Sequence, residues 1–158
     1  MKIGVISDTR GLLRPEVVDK LQGCDAILHA GDVNKPEILD ALRTIAPLHV
    51  VRGNNDKDWA EALPQTLRVE LGGVRILMIH NKRELPKELG DAQLIVFGHS
   101  HKYFEQTIDG RLWLNPGSCG KRRFDQEISF ALMEIGGGWW SVEKVVLANS
   151  SRMPSKVS

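Results

Sequence analysis

Three stretches decide the fold: KIGVISD (Lys2–Asp8), AILHAGD (Ala26–Asp32) and LHVVRGNN (Leu48–Asn55). Each is a short apolar run that stops at polar residues and glycine, the signature of a buried strand delivering polar groups at its end. Strands are predicted over Lys2–Ser7, Ala26–His29 and Leu48–Val51. Between them, Pro15 opens a helical pattern with Val17, Val18 and Leu21 on one stripe, halted at Gly23. Pro36 opens a second helix with Ile38, Leu39 and Leu42 facing inward, and Asn34 is placed to cap it. A strand–helix–strand–helix–strand run implies parallel strands joined by right-handed crossovers.

The second half reads as strands in pairs. Thr66–Leu71 and Val74–His80 flank Gly72-Gly73, and Tyr103–Ile108 and Arg111–Leu114 flank Asp109-Gly110; both are hairpin turns by composition. Leu94–Phe97 is a four-residue apolar run ending at Gly98-His99. Ile128–Ile135 and Trp139–Val146 flank Gly136–Gly138. A βαβ half followed by a mostly antiparallel half predicts an α/β fold in four layers, an α-β-β-α sandwich of two packed mixed sheets flanked by helices. It is expected to span residues 1–148, with a flexible polar tail at 149–158.

Composition narrows the class. The chain has 158 residues, 21 Lys plus Arg against 20 Asp plus Glu, and a net charge of +1. One core suits that length, and so even a balance asks for neither long nucleic acid nor an anionic membrane as partner. Cys24 and Cys119 are too few for a disulfide framework, which favours a reducing, cytoplasmic setting. The opening MKIGVISD is too short an apolar run for a signal peptide, and no run approaches the roughly 20 residues of a membrane span.

The chemistry collects at the strand ends, where ligands of α/β sheets bind. In order these ends carry Asp8, Asp32, Asn54, His80, and then His99 and His101 within Gly98-His99-Ser100-His101. Taken singly, an Asp after a strand is a turn former, Asn54 a left-handed turn residue and His80 a satisfied strand histidine. His-x-His is harder to dismiss, because residues i and i+2 of an extended segment point to one side. Six oxygen and imidazole donors without a thiolate suit first-row divalent ions such as Mn, Fe, Co, Ni or Zn. Six donors exceed what one tetrahedral ion needs. A carboxylate bridging two ions about 3.5–4 Å apart uses them all, and such pairs hydrolyse phosphate esters.

These residues resemble the calcineurin-like metallophosphoesterases, in particular their small single-domain phosphodiesterase branch. The motifs are Ser7-Asp8-Thr9-Arg10-Gly11, His29-Ala30-Gly31-Asp32, Gly53-Asn54-Asn55-Asp56, Ile79-His80, Gly98-His99-Ser100-His101, and Asn115-Pro116-Gly117-Ser118 with Arg122 or Arg123 downstream. The resemblance implies that Asp32 bridges two metals, Asn54, His80 and His99 complete one site, and Asp8 and His101 serve the other. It implies one or two divalent ions per chain, Mn first among them, and attack of a metal-activated hydroxide on a small phosphodiester. Asp8, Asp32, Asn54, His99 and Arg10 are then the catalytic set; a homo-oligomer is compatible with all of this.

Two positions depart from the family pattern. Where the family has a ligating histidine this chain has Arg10, whose guanidinium has no lone pair to give. It either turns to solvent, clamps the substrate phosphate, or marks lost hydrolysis. Where many phosphatases have a proton-donating histidine this chain has Asn55, which cannot act as an acid and so favours good leaving groups. The rival reading comes from a eukaryotic retromer subunit with the same fold, which is mainly a protein-interaction scaffold; under it the site is vestigial and an apolar surface acts instead. Of the remaining residues, His29 supports Asp32 or is a core histidine, His49 is structural, Asn115–Ser118 shapes the site or is a plain turn, and Trp139-Trp140 packs on the sheet.

Overall fold

The computed structural model of the chain describes residues 1–122 and 126–147. Arg123 and the tail expected at 149–158 lie outside the described residues. Ten strands and two helices follow one another as β1 (Lys2–Ile6), α1 (Pro15–Leu21), β2 (Ala26–His29), α2 (Pro36–Arg43), β3 (Leu48–Val50), β4 (Thr66–Leu71), β5 (Val74–Ile79), β6 (Leu94–Val96), β7 (Phe104–Ile108), β8 (Arg111–Asn115), β9 (Ser129–Gly136) and β10 (Trp139–Val146). They form two mixed five-stranded sheets, ordered β10-β9-β1-β2-β3 and β4-β5-β6-β8-β7.

The alternation of side chains along each strand sorts the apolar residues into layers. Ile3, Val5, Ala26 and Leu28 of the first sheet meet Ile76, Met78, Leu94, Val96, Leu112 and Leu114 of the second in the central core. The opposite face of the first sheet, with Ile6, Ile27, Val50 and Phe130, is covered by Val17 and Leu21 of α1 and by Ile38, Leu39 and Leu42 of α2. Gly4 makes the α1 contact possible: a methyl group there would collide with the Leu21 side chain. The outer face of the second sheet packs Leu77, Ile95 and Trp113 under Leu85, Leu89 and Ala92. That segment begins with a 3-10 turn at Lys82–Glu84.

Some local expectations change. The interior of the second sheet is parallel, β5 to β6 and β6 to β8, so the second half is less antiparallel than its hairpins imply. A hairpin signal reports a turn, whereas the strand beside it is chosen by burial. Both helices open on proline as predicted, but Lys35 occupies the cap of α2 without a side-chain bond. Asn34 instead takes a left-handed conformation and donates its backbone N–H to Asp56 Oδ1 at 2.8 Å. Trp140 packs against the central core, whereas Trp139 is 57% exposed.

The parallel trios decide where function can lie. In β1-β2-β3 and in β5-β6-β8 all C-terminal ends point one way, and the loops leaving the two sheets meet. Gly98 N–H donates to His80 O across the second sheet, and Asp8 N–H donates to Gly31 O across the first.

Candidate metal centre

Asp8 leaves β1 through Ser7 and is completely buried. Its Oδ2 accepts from Ser7 Oγ at 2.6 Å and from the His99 backbone N–H at 3.3 Å. Its Oδ1 is buried without a hydrogen-bond partner and stands 3.3 Å from His101 Nε2. Asp32 leaves β2 and is also buried; Asn55 grips it with backbone N–H on Oδ1 at 2.9 Å and Nδ2 on Oδ2 at 3.0 Å. Burial works against ionisation of Asp32, but His80 and these two bonds outweigh it and take its pKa down to about 2.

His80 follows β5. Its Nδ1 donates to Ala30 O at 2.8 Å, which fixes the tautomer and leaves Nε2 bare, 3.4 Å from Asp32 Oδ2. Nε2 is buried with no hydrogen-bond partner. Burial favours the neutral ring, yet Asp32 and Asp8 pull its pKa above the ordinary value. Ligand atoms of Asp8, Asp32 and His80 lie within 4.8 Å of one another. Two buried carboxylates and a free imidazole lone pair form an electron-rich cradle, and a divalent cation fits its orphaned atoms where a hydrogen-bond donor is lacking.

The other sequence-predicted residues surround this trio at different depths. His101 is buried against Asp8, whereas His99 is exposed, its ring meeting His80 edge-on with centroids 5.3 Å apart. The two do not share an extended segment: both have left-handed backbones, φ 75° and 64°, so the i, i+2 argument for their side chains does not apply. Asn54 is exposed and lines a pocket of about 330 Å³ with Arg52, His80 and Glu84. Arg10 is half-buried, donates its N–H to Asp32 O at 2.9 Å, and among the described residues its guanidinium has no hydrogen-bonded or ionic partner.

Left-handed φ values recur in pairs at Asp8 and Arg10, at Asp32 and Asn34, and at His99 and His101. Such conformations cost roughly 1–3 kcal/mol each and persist only where the surroundings over-determine them. What over-determines them is a network that sequence reading did not single out. Asp56 takes three backbone N–H groups, from Asp32 and Gly53 on Oδ2 and from Asn34 on Oδ1, at 2.8–3.0 Å. Its signal in the sequence is the polar run Gly53-Asn54-Asn55-Asp56, in which Asp56 looks like an ordinary turn residue. His29 accepts from Gly31 N–H on Nδ1 and donates from Nε2 to Thr9 Oγ1, tying the two carboxylate loops together without touching Asp32. Full burial keeps it neutral, with its pKa lowered to about 4.

On the histidine side Asn115 Nδ2 donates to Gly98 O and Ser100 Oγ, both at 3.1 Å, and Ser118 Oγ donates to Asp8 O. The Asn115–Ser118 loop is therefore a brace between the two sheets' site loops. Close approach is possible because two motif residues lack side chains. A methyl on Gly53 would overlap Asp32, and one on Gly98 would overlap Ser7 Oγ and reach 2.8 Å from Asp8 Oδ2. Downstream, Arg122 Nε donates to Gln126 O.

Against known proteins, residues 1–138 match the calcineurin-like phosphoesterase superfamily domain. The chain belongs to that superfamily. A probable metallophosphoesterase of Methanothermobacter thermautotrophicus is 38% identical over 133 residues, covering 75% of this chain and 77% of that protein. A phosphodiesterase of Methanocaldococcus jannaschii is 23% identical over 141 residues, covering 75% and 84%. Vps29 of Entamoeba histolytica, in a crystal structure complexed with Zn²⁺, is 26% identical with a TM-score of 0.72, covering 92% of this chain and 99% of that one. The family and the buried Asp–Asp–His group together support a divalent-metal-dependent phosphoesterase. Among the described residues no helix is long and apolar enough to cross a membrane.

Proposed function

We propose that this chain is a phosphodiesterase whose divalent ions, Mn²⁺ foremost, are held by Asp8, Asp32, Asn54, His80, His99 and His101. The observation that carries this reading is the convergence of Asp8, Asp32 and His80, with Asp8 Oδ1 and His80 Nε2 buried and unpartnered. Asp32, His80, Asn54 and His99 make the fuller site, and Asp8 with His101 the poorer one, because position 10 supplies a guanidinium instead of a lone pair. Bound ions supply Lewis-acid chemistry, polarising phosphoryl oxygens and lowering the pKa of water.

The residues do the rest. Asn55 holds Asp32 with its backbone N–H and one side-chain N–H, and its amide cannot transfer a proton to a departing oxygen, so diesters with good leaving groups are the expected substrates. Arg10, anchored by its N–H on the Asp32 carbonyl, brings a permanent cation to the loop between the two carboxylates and can pair with a phosphoryl oxygen. The diester preference draws support from two pockets that share Asn81, one at His80 and one at His99, matching two substituents on one phosphorus. A cytoplasmic site of action suits Cys24 and Cys119, both free and buried; burial pushes the Cys119 thiol up to about 12.

The test is hydrolysis of bis(p-nitrophenyl) phosphate by protein stripped with chelator and titrated with Mn²⁺. Turnover should be saturable in metal and should fall in Asp32→Asn by more than the roughly 100-fold typical of losing a ligand's supporting partner. Absence of turnover with Mn²⁺, Ni²⁺, Co²⁺ and Zn²⁺ in folded protein would overturn the reading in favour of a scaffold. For a scaffold, the exposed large apolar side chains among the described residues are Met1, Ile108, Trp139 and Val146: Trp139 and Val146 stand at opposite ends of β10, Met1 bonds to Ile135 of β9, and Ile108 is in the other sheet.

A further inference from the structure

The two pockets at the site differ in charge. The one at His80 sets Arg52 against Glu84. The other, about 490 Å³ at His99, is lined by Lys82, Arg83 and Lys102 with no acidic side chain. In a chain with a net charge of +1, three cations around one cavity are a local arrangement rather than a reflection of composition. Among the described residues none of the three pairs with a carboxylate.

Their placement is built in. Lys82 and Arg83 come two and three residues after His80, on the 3-10 turn that Asn81 caps, its Oδ1 accepting from Arg83 N–H at 3.1 Å. Lys102 follows His101. The Lys82 ammonium lies over two aromatic faces, 5.2 Å from the centroid of Phe97 and 5.4 Å from that of Phe104. Phe97 is itself buried. Aromatic faces hold an ammonium by its charge without neutralising it, so Lys82 is positioned and still available to an anion. Because the scissile phosphate belongs at the metal cradle, a cationic cavity alongside calls for a second anionic group on the same molecule.

We propose that the pocket beside His99 is a subsite for a second phosphate, so that the preferred substrates are phosphodiesters carrying a further phosphomonoester on one substituent. This rests on the phosphodiesterase reading above. Lys82 and Lys102 are its specificity residues, and the phosphate would replace their water contacts with charge-assisted hydrogen bonds.

The test uses a matched pair: the p-nitrophenyl ester of thymidine 5′-monophosphate and the same ester bearing a 3′-phosphate. The 3′-phosphate should raise kcat/KM about tenfold, and in Lys82→Met/Lys102→Met the ratio of the two kcat/KM values should fall to about one. A second readout needs neither metal nor turnover. By calorimetry, metal-free protein, whose bare carboxylates repel a phosphate at the cradle, should bind thymidine 3′,5′-bisphosphate about tenfold more tightly than thymidine, and the double variant should bind both alike. Both lysines are exposed, and thermal melting checks that the variant is folded. Equal turnover and equal binding of each pair overturns the subsite and leaves the phosphodiesterase reading standing. Tighter binding of the bisphosphate with neither ester hydrolysed upholds the subsite and overturns the phosphodiesterase reading.

Discussion

The two sheets bring different chemistry to the place where they meet. The first contributes carboxylates held on nearly every side: Asp32 by Asn55, the backbone around it by Asp56, and Asp8 by Ser7. The second contributes imidazoles at graded depth, with His80 and His101 buried and His99 exposed at a cavity mouth. Carboxylates crowded out of water must be fixed in place, or they would relax apart and lose the cation site. Groups that meet a substrate must remain reachable. Under the proposed function the first sheet supplies the fixed carboxylates of the cradle, and the second adds His80 to it and the more open face for a substrate.

That contrast can be broken from either side. The largest effect beyond Asp32→Asn is expected at Asp56→Ala, which strips three backbone N–H groups, two of them buried, of their acceptor. Each orphan costs about 1–3 kcal/mol, so urea unfolding should show a loss of about 3 kcal/mol or more, with metal-dependent turnover falling alongside. A loss below about 1 kcal/mol would mean the cradle is less rigid than its bonds imply.

On the histidine side Asn115→Ala releases Gly98 and Ser100. Turnover should drop about 10–100-fold, as when a ligand's support is removed, with a smaller stability loss than at Asp56. If stability falls as far as at Asp56, the two sides do not differ in rigidity.

Arg10→His tests the division between the fuller and the poorer metal site. Histidine tolerates the left-handed backbone at this position better than most residues do, so the loop should keep its path. Calorimetric titration with Mn²⁺ should show the weaker binding step tightened about tenfold. An unchanged isotherm would mean that position 10 does not face the site.

The smallest expected effect concerns His29, the tie between the two carboxylate loops. Burial holds its pKa near 4 in the folded protein against 6.5 for the free side chain. The unfolded chain therefore takes a proton first, so the His29 contribution is full above pH about 6.5 and is lost as pH falls toward 4, by about 3 kcal/mol in all. Between pH 6.5 and 5 the other histidines titrate as well, His80 shifted up and His49 down, so the His29 share is read as the difference from a variant lacking it. Urea midpoints of wild type should decline across this window, whereas His29→Asn, less stable at pH 7, should decline less.

Strands and helices were legible along the chain because burial writes itself as runs and stripes. The ten strands stand where the apolar runs placed them, to within a residue or two, and Ile38, Leu39 and Leu42 face inward as the helical period requires. Asp8, Asp32 and His80 could be picked out because each stands where a strand stops. What could not be read was how these ends are held. Asp56 looks like any turn aspartate until three N–H groups from separated loops close on it. Asn34 looks like a helix cap until Asp56 takes its backbone. Periodicity reports which side of an element is buried, but a buried polar bond between residues 22 or 24 apart leaves no periodic trace.

Local chemistry along the chain thus settled which residues form strands, where each strand ends and which donors stand there. The parallel sense of β5, β6 and β8, the meeting of both sheets at their C-terminal ends, and the unequal depth of His99 and His101 emerged only on folding. Strand formation depends on neighbours a few residues apart, whereas a cation cradle depends on pairs such as Ala30 with His80 and Asp8 with His101. Such pairs are brought together by burying the faces of two sheets against each other, a free energy that no single segment contains.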